Sequence, residues 1–357
     1  MIITPTFTTK FDTNFGANAT AARAAWIAAS QVFVNAFSDD IHINITVDAL
    51  PGTTAFGRSF PKFLTIPYVQ LFTAVSNFAS TANDGIAIGP GGSMTPTDPT
   101  NGAGTWLLSR PQAKALHVIP DDLSDDGGTT FGAGNPFTFS GAVAAGTFDF
   151  QGVAAHEIAE VMGRIGLSGG DNSFSLIDNF AYTGAGTKGL RGGPGNFFSI
   201  DNGVTLLKQF NDPTVNHLDT RDWLGGSPDS FNQFASGGVK NPVSAVDLQV
   251  MDVIGFGTVK PNGSLIETVG HITFLRAHEL GSGFGAPPNF LDCEVIVKLA
   301  EDPVRAFGLK LRTDQNQPAH TQMFELLRSA FVSQRPVRLD YITTGPRAGE
   351  IIRVANA

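Results

Sequence analysis

His156, Glu157 and Glu160 lie within five residues of one another, in Val-Ala-Ala-His156-Glu157-Ile-Ala-Glu160-Val-Met-Gly163-Arg164. Residues 1–259 contain no other glutamate; every other acid there is aspartate. On a helix, residues four apart share a face, so the imidazole of His156 and the carboxylate of Glu160 can converge on one ion. Glu157 stands one position on, rotated by about 100°. The chemistry that such a trio can do is metal binding coupled to proton transfer.

The usual spacing for that chemistry is His-Glu-x-x-His. Two histidines hold zinc, the metal brings the pKa of its water towards about 7, and the glutamate takes the proton. Here Glu160 occupies the second histidine's place. Carboxylate oxygen is an acceptable zinc ligand, though one histidine with carboxylates makes a harder site than two histidines. A plainer reading also fits. Glu160 and Arg164 are four apart in the favourable order for an ion pair, and His156 could be a partly buried, satisfied histidine. Two features favour chemistry. Glutamate is otherwise absent from this stretch, and Ala154, Ala155, Ala159 and Gly163 suit a helix packed closely under a cleft.

The elements that would position the trio are legible in outline. Residues 18–37 are alanine-rich, with Trp26, Ile27, Phe33, Val34 and Phe37 at helical spacing. Residues 41–47 alternate and are β-branched, as in a half-buried strand. A helix is expected over 66–81 and a short strand at 105–108. A short helix capped by Ser109 should follow, then short strands at 129–132 and 137–140. The motif helix runs from Phe150 to about Ile165 and is stopped by Gly163 and Gly166. A glycine- and asparagine-rich region, 166–245, follows, with a strand near Phe197. A helix from Asp247 closes the first domain, 1–259, and Pro261-Asn-Gly263 marks the boundary. In the tail, 260–357, strands are expected at 271–278, 292–299, 305–311, 337–343 and 350–354. An amphipathic helix over 320–332 falls between the third and fourth strands. That order suggests a small β-barrel of the oligonucleotide/oligosaccharide-binding (OB) type.

Composition narrows the function. The first 259 residues carry 12 basic and 22 acidic side chains, a net of −10; the tail carries 11 and 10, a net of +1. An acidic body lacks the clustered cations that nucleic acid requires. A single cysteine, Cys293, excludes an intrachain disulfide and suits a core position. No apolar run of about 18 residues suggests a membrane span. The start does not read as a cleavable signal peptide. Low lysine, one cysteine and abundant glycine, asparagine and aspartate fit a secreted bacterial protein. Such a protein would leave by a leaderless route or have lost its leader; cytoplasmic residence is the alternative.

The motif His156-Glu157-Ile-Ala-Glu160-Val-Met-Gly163-Arg164 resembles the helix of a bacterial family of secreted zincin-like metalloproteases, which reads His-Glu-Ile-x-Glu-Val-Met-Gly-Arg. The match continues in order through Ile43-Asn-Ile-Thr-Val47, Phe198-Ser-Ile-Asp201-Asn-Gly203, Gly238-Val-Lys-Asn-Pro242 and Asp247-Leu-Gln-Val-Met-Asp-Val-Ile-Gly255, covering about residues 1–257. The resemblance implies an α+β, zincin-like domain with a mixed twisted sheet, a backing helix and an active-site helix. It implies a zinc-dependent endopeptidase acting on protein or peptide, with Glu157 as general base. The chain is more distantly similar to metzincins, but Gly166 stands where their third ligand would be. A third ligand must come from elsewhere. Asp178 follows Glu160 by eighteen residues, close to the spacing of the downstream carboxylate in other zinc peptidase clans, and His217 is the other candidate. Either could instead be a loop hydrogen-bonder or cap. Tyr182 could stabilise an oxyanion or be a core tyrosine. Met251 could floor the site or simply pack.

Asp121-Asp122-Leu-Ser-Asp125-Asp126-Gly-Gly offers carboxylates for calcium, or is a solvated acidic turn. No serine elbow or phosphate loop is present. The leading expectation is a metallopeptidase with His156, Glu160 and Asp178 as ligands and the tail as accessory barrel. The alternative is an inactive zincin-fold scaffold in which Glu160 pairs with Arg164. The chain would then work as a secreted binding or assembly module, with the tail serving self-association or a surface ligand.

Overall fold

A computed structural model describes the chain except for residues 54, 217–218, 258–265, 281, 287–288, 313–316 and 346. It divides into two compact units, Met1–Val259 and Lys260–Ala357. His217 and the Pro261-Asn-Gly263 turn lie outside the described residues. Among the described residues, no helix is long and apolar enough to cross a membrane.

The first unit is mixed α+β. It opens with β1 (Ile2–Phe7), α1 (Thr9–Phe15), α2 (Ala19–Ala36), β2 (His42–Leu50), β3 (Gly57–Pro61) and β4 (Phe63–Ile66). Then come α3 (Tyr68–Phe78), α4 (Ala82–Ile88), β5 (Thr105–Ser109), α5 (Arg110–Ala115) and β6 (Asp125–Gly132). The main sheet has the order β1-β2-β6-β3; the first three strands are parallel and β3 runs antiparallel at the edge. In β2, alternate side chains Ile43, Ile45, Val47 and Ala49 are buried, the period-two pattern of a half-buried strand. Helix α2 buries its Ala22, Ala25, Trp26, Ala29 and Phe33 stripe, and the Trp26 indole N–H donates to Thr129 Oγ1 in β6 at 3.2 Å.

After the short pair β7 (Phe137–Thr138) and β8 (Phe148–Asp149), helix α6 (Phe150–Val161) carries the His-Glu-x-x-Glu motif. It packs on α2, β3 and β6. The helix lies so close to β6 that a Cβ on Gly127 would strike the Val161 side chain. The remainder is looped, with β9 (Ser173–Ser175), β10 (Ala181–Gly184), β11 (Thr187–Lys188), β12 (Phe197–Phe198), β13 (Lys208–Gln209), α7 (Pro213–Asn216) and α8 (Ala245–Val253). Two smaller sheets, β4-β5-β9 and β11-β10-β12-β13, flank it.

The second unit is a closed five-strand barrel in the order β14 (Ile266–Ala277), β15 (Val295–Leu299), β16 (Ala306–Leu309), β18 (Ala348–Asn356), β17 (Pro336–Gly345). Helix α9 (Gln317–Ser333) connects β16 to β17. Strands β16 and β18 are parallel, the other pairings antiparallel. Val295, Val297, Leu299, Phe307, Leu309, Val337 and Leu339 fill the core, with Leu327, Met323, Phe324 and Phe331 of α9 packed against it. Ile296 points to the opposite face from its neighbours. There it meets Leu291, Cys293, Ala306 and Ala348, with Phe284 packed on them. The β14–β15 connection therefore covers the outer face of β15 and β16, so closely that a Cβ on Gly308 would strike Cys293 Sγ. Cys293 is a core residue, as its surroundings in sequence suggested.

Candidate metal centre

Helix α6 begins at Asp149 and ends at Gly163, whose φ of 113° only glycine adopts readily. The alanines at 154, 155 and 159 are buried, which lets the helix backbone approach its neighbours. One turn of this helix brings His156, Glu157 and Glu160 together, with one ligand atom from each lying within 4.8 Å of the others. His156 Nε2 is 3.5 Å from Glu160 Oε1. Ser59, on edge strand β3, donates to Glu160 Oε2 at 2.7 Å. Glu157 abuts the same strand two residues earlier, where a Cβ on Gly57 would overlap its Cγ and carboxylate.

A fourth group completes the cluster, and it was missed in the sequence. Asp222 Oδ1 lies 3.6 Å from His156 Nε2. Asp222 sits in an irregular loop after β13, and its own carbonyl accepts from Asn211 N at 2.7 Å. The same loop fixes the histidine: His156 Nδ1 lies 2.9 Å from the Ser230 carbonyl oxygen. A carbonyl can only accept, so Nδ1 carries a hydrogen, which leaves Nε2, on the side of the carboxylates, as the nitrogen that a metal could use. This is the tautomer control that a histidine ligand receives from its outer partner. Phe231 stacks on the other side of the ring at 5.3 Å.

The electrostatics are one-sided. Among the described residues, no lysine or arginine comes within ion-pair distance of Glu157, Glu160 or Asp222. Burial and the neighbouring Glu160 push the Glu157 carboxyl well above the usual range, against the pull of His156. Burial also pushes Asp222 up to about 7, with Glu160 and Asp219 adding to it and His156 opposing. For Glu160, burial is outweighed by His156, Ser59 and Glu157, and its carboxyl sits below the usual range. Burial would depress His156, but Asp222, Glu160 and Glu157 carry it well above its ordinary value. Three buried carboxylates around one imidazole are tolerable only with shared protons or a cation. The donor set fits a divalent metal: an imidazole nitrogen oriented from behind, whose proton a cation would displace, and carboxylate oxygens converging on it.

The ion pair between Glu160 and Arg164 does not form. The Arg164 guanidinium turns away and lies 3.6 Å from Asp247. Asp178 is not a ligand. It is the capping residue of the turn Leu176–Phe180, where Oδ2 accepts from the backbone of Leu167, Ser168 and Ser175, and Oδ1 takes the Arg221 Nε proton at 2.7 Å. A carboxylate so fully used has no lone pair for a metal. Tyr182 is no oxyanion donor either. Its hydroxyl donates to the Ser93 carbonyl, burial pushes it up to about 12, and Lys188 covers its ring. Met251 is buried in the main core.

The acidic loop is not a calcium site. Asp121 faces His42, Asp122 faces Arg110, and Asp125 pairs with Lys62 at 2.8 Å. Asp126 pairs with Lys114 at 2.8 Å and Arg110 at 3.2 Å. Each carboxylate is already engaged, Asp121 by the His42 imidazole with Lys114 at 3.9 Å and the others by lysine or arginine.

Comparison with protein-family models, with curated proteins and with solved structures finds no match to this chain.

Proposed function

We propose that the first unit is a metal-dependent peptidase in which His156, Glu160 and Asp222 hold a divalent transition ion, zinc on the strength of the motif, and Glu157 is the general base. The observation that carries this reading is the buried carboxylate cluster, with no lysine or arginine in ion-pair contact among the described residues, facing a histidine whose Nδ1 is pinned by Ser230. An ion held there acidifies water and polarises a carbonyl. Glu157 stands next to the ligands but presses against β3, the side from which a substrate would come. Its carboxylate can take a proton from the attacking water and return it to the departing amine nitrogen. Strand β3 is the edge of its sheet, and an edge strand accepts an extended peptide by backbone pairing. That favours a protein or peptide substrate, laid along Gly57–Pro61 beside the exposed Phe60.

The resemblance to secreted zincin-like metalloproteases and the low-lysine composition support an exported enzyme. The rival scaffold reading loses its main support with the Glu160–Arg164 pair. The barrel has the strand order and helix position of the OB type, so we read it as an accessory domain. Phe284, Leu291 and Cys293 pack over Ile296 and Ala306 on the outer face of the barrel, which leaves other surfaces for partners.

Metal analysis of protein purified without chelators tests the site. We expect about one transition ion per chain in the wild type, none in Glu160→Gln, and an ion without peptide cleavage in Glu157→Gln. A wild type that binds no added zinc, or full cleavage by Glu157→Gln, would overturn the assignment.

A further inference from the structure

Arg164 is the residue that the site does not obviously need. It is 1% exposed, yet Nε, Nη1 and Nη2 donate no hydrogen bond to the protein. An ordinary buried arginine uses its edges, as Arg221 does with Asp178 and the carbonyls of Gly189 and Leu190. Arg164 is engaged through its faces instead. Its Cζ lies 3.7 Å from the ring centre of Phe231 and 4.7 Å from that of Trp223. Phe231 stacks on His156 with an interplanar angle of 25°. Trp223 stacks on Phe210 at 15°, and Arg221 covers Phe210. The result is a continuous column: Arg221, Phe210, Trp223, Arg164, Phe231, His156. Asp247 stands beside it, accepting from the Trp223 indole at 2.6 Å and balancing the Arg164 charge.

This column joins two parts of the chain. Arg164 follows helix α6, which carries His156 and Glu160. The two rings that it separates, Trp223 and Phe231, belong to the loop that carries Asp222 and Ser230. Their strand-like pairing, Trp223 N to Phe231 O at 2.7 Å, closes that loop on itself. We propose that Arg164 is a positioning residue. Its planar cation between Phe231 and Trp223 sets the loop on the helix so that the Ser230 carbonyl meets His156 Nδ1 and Asp222 faces Nε2. A guanidinium offers two flat faces to aromatic rings; an ammonium does not. Lysine should therefore fail to substitute even though it keeps the charge. The inference rests on the metal-site reading for its consequence, but the histidine geometry can be read without metal.

The test uses Arg164→Lys and the double variant Arg164→Met/Asp247→Asn, which removes the buried charge and its partner together and so guards against simple unfolding. In metal-free protein, 15N–1H NMR should show the His156 Nδ1–H as a downfield, exchange-protected proton bonded to the Ser230 carbonyl in the wild type, whether or not Nε2 is also protonated, and should show that signal weakened in both variants, with unchanged far-UV circular dichroism. Zinc affinity by chelator competition should fall by about 10–100-fold, the size seen when an outer partner of a ligand is lost. A wild-type Nδ1–H signal in both folded variants would overturn the proposal, as would rescue of zinc affinity by lysine. If the wild type itself binds no zinc, the metal reading fails, and the Nδ1–H bond to Ser230 alone decides the role of Arg164.

Discussion

Two acidic clusters in the same unit solve the same problem in opposite ways. Around Asp121–Asp126, shared cations nearly match the carboxylates: buried Asp126 is met by Lys114 and Arg110, and its three neighbours by Lys114, Arg110, Lys62 and the His42 imidazole. Around His156, buried Glu157, Glu160 and Asp222 have one imidazole between them. The first cluster is nearly balanced as it stands; three cations and an imidazole serve four carboxylates, whose oxygens are occupied. The second is arranged at a cost in folding free energy, with carboxyl groups displaced in both directions from their ordinary range. Acidic residues alone therefore say little. What separates a structural cluster from a functional one is whether the fold has supplied the countercharge.

The contrast is broken most sharply at Asp126. Asp126→Asn leaves the fully buried Lys114 ammonium with only carbonyls and the more distant, partly exposed Asp121 and Asp122. Removing one partner of a buried pair costs about 3–5 kcal/mol. Urea unfolding at neutral pH should show a loss of that size with metal binding unaffected at equal folded fraction. A change below about 1 kcal/mol would mean that the pair is structurally idle.

These two clusters also show what could be read from the chain alone. The helix, its histidine and both glutamates were legible, because ligands four residues apart on a helix announce themselves through periodicity. The strand and helix order of the barrel was legible for the same reason, as was the Ser109 cap, which forms a capping box with Gln112. Asp222 was not. It reaches His156 from an irregular loop, and no local pattern ties a loop aspartate to a distant helix. The only hint lay in its context, Asp219-Thr-Arg221-Asp222-Trp223, an acid-rich stretch ending in a tryptophan. Asp178 misled because spacing says nothing about direction: its carboxylate caps a turn and holds Arg221. Arg164 misled similarly, since favourable i, i+4 spacing to Glu160 lost to the aromatic slot between Trp223 and Phe231.

A third cluster sharpens the comparison through pH. Asp252 of α8, Asp84 of α4 and Asp39 lie near one another and are met by neutral donors: Thr81, Asn83, Ser80 and the Gly257 amide. Burial pushes Asp252 up to about 7 and Asp39 up to about 6. The countercharge here is the proton. Between about pH 4 and 7 the folded state holds protons that the unfolded chain has released, so these groups make stability fall as pH rises. The effect of Asp252 is bounded at about 4 kcal/mol, the shift from its ordinary value at about 1.36 kcal/mol per pH unit. Metal-free protein should be less stable at pH 8 than at pH 5, and Asp252→Asn should flatten part of that slope, to which Asp39, Asp222 and Glu157 add with the same sign. An unaltered slope in the variant would remove this cluster from the comparison.

The candidate metal centre should respond to the same substitution type with the opposite sign from the acidic loop. Asp222→Asn removes one of several buried like charges, so metal-free protein should gain up to about 1–2 kcal/mol, the scale on which relaxing a functional site stabilises a fold. Zinc affinity should drop in the same variant. A destabilisation as large as that of Asp126→Asn would recast Asp222 as half of a structural pair with His156.

The smallest expected change in stability falls on the edge strand, and it separates base from ligand. Gly57 and Ser59 point to the same face of β3, one towards Glu157 and the other towards Glu160. Gly57 does not have a left-handed backbone conformation, so alanine is permitted there by the main chain, and the three atoms that its Cβ would strike first all belong to the Glu157 side chain. Gly57→Ala should therefore cost about 1 kcal/mol, the low end for overpacking, while displacing the carboxylate that is to carry the proton; kcat should fall with zinc content unchanged. Ser59→Ala removes the 2.7 Å hydrogen bond that orients Glu160, so its effect should appear first in zinc affinity. Measuring metal content and kcat together on both variants distinguishes the two roles. If Gly57→Ala loses zinc while keeping its turnover per bound ion, Glu157 is a ligand rather than the base, and the assignment of the two glutamates must be exchanged.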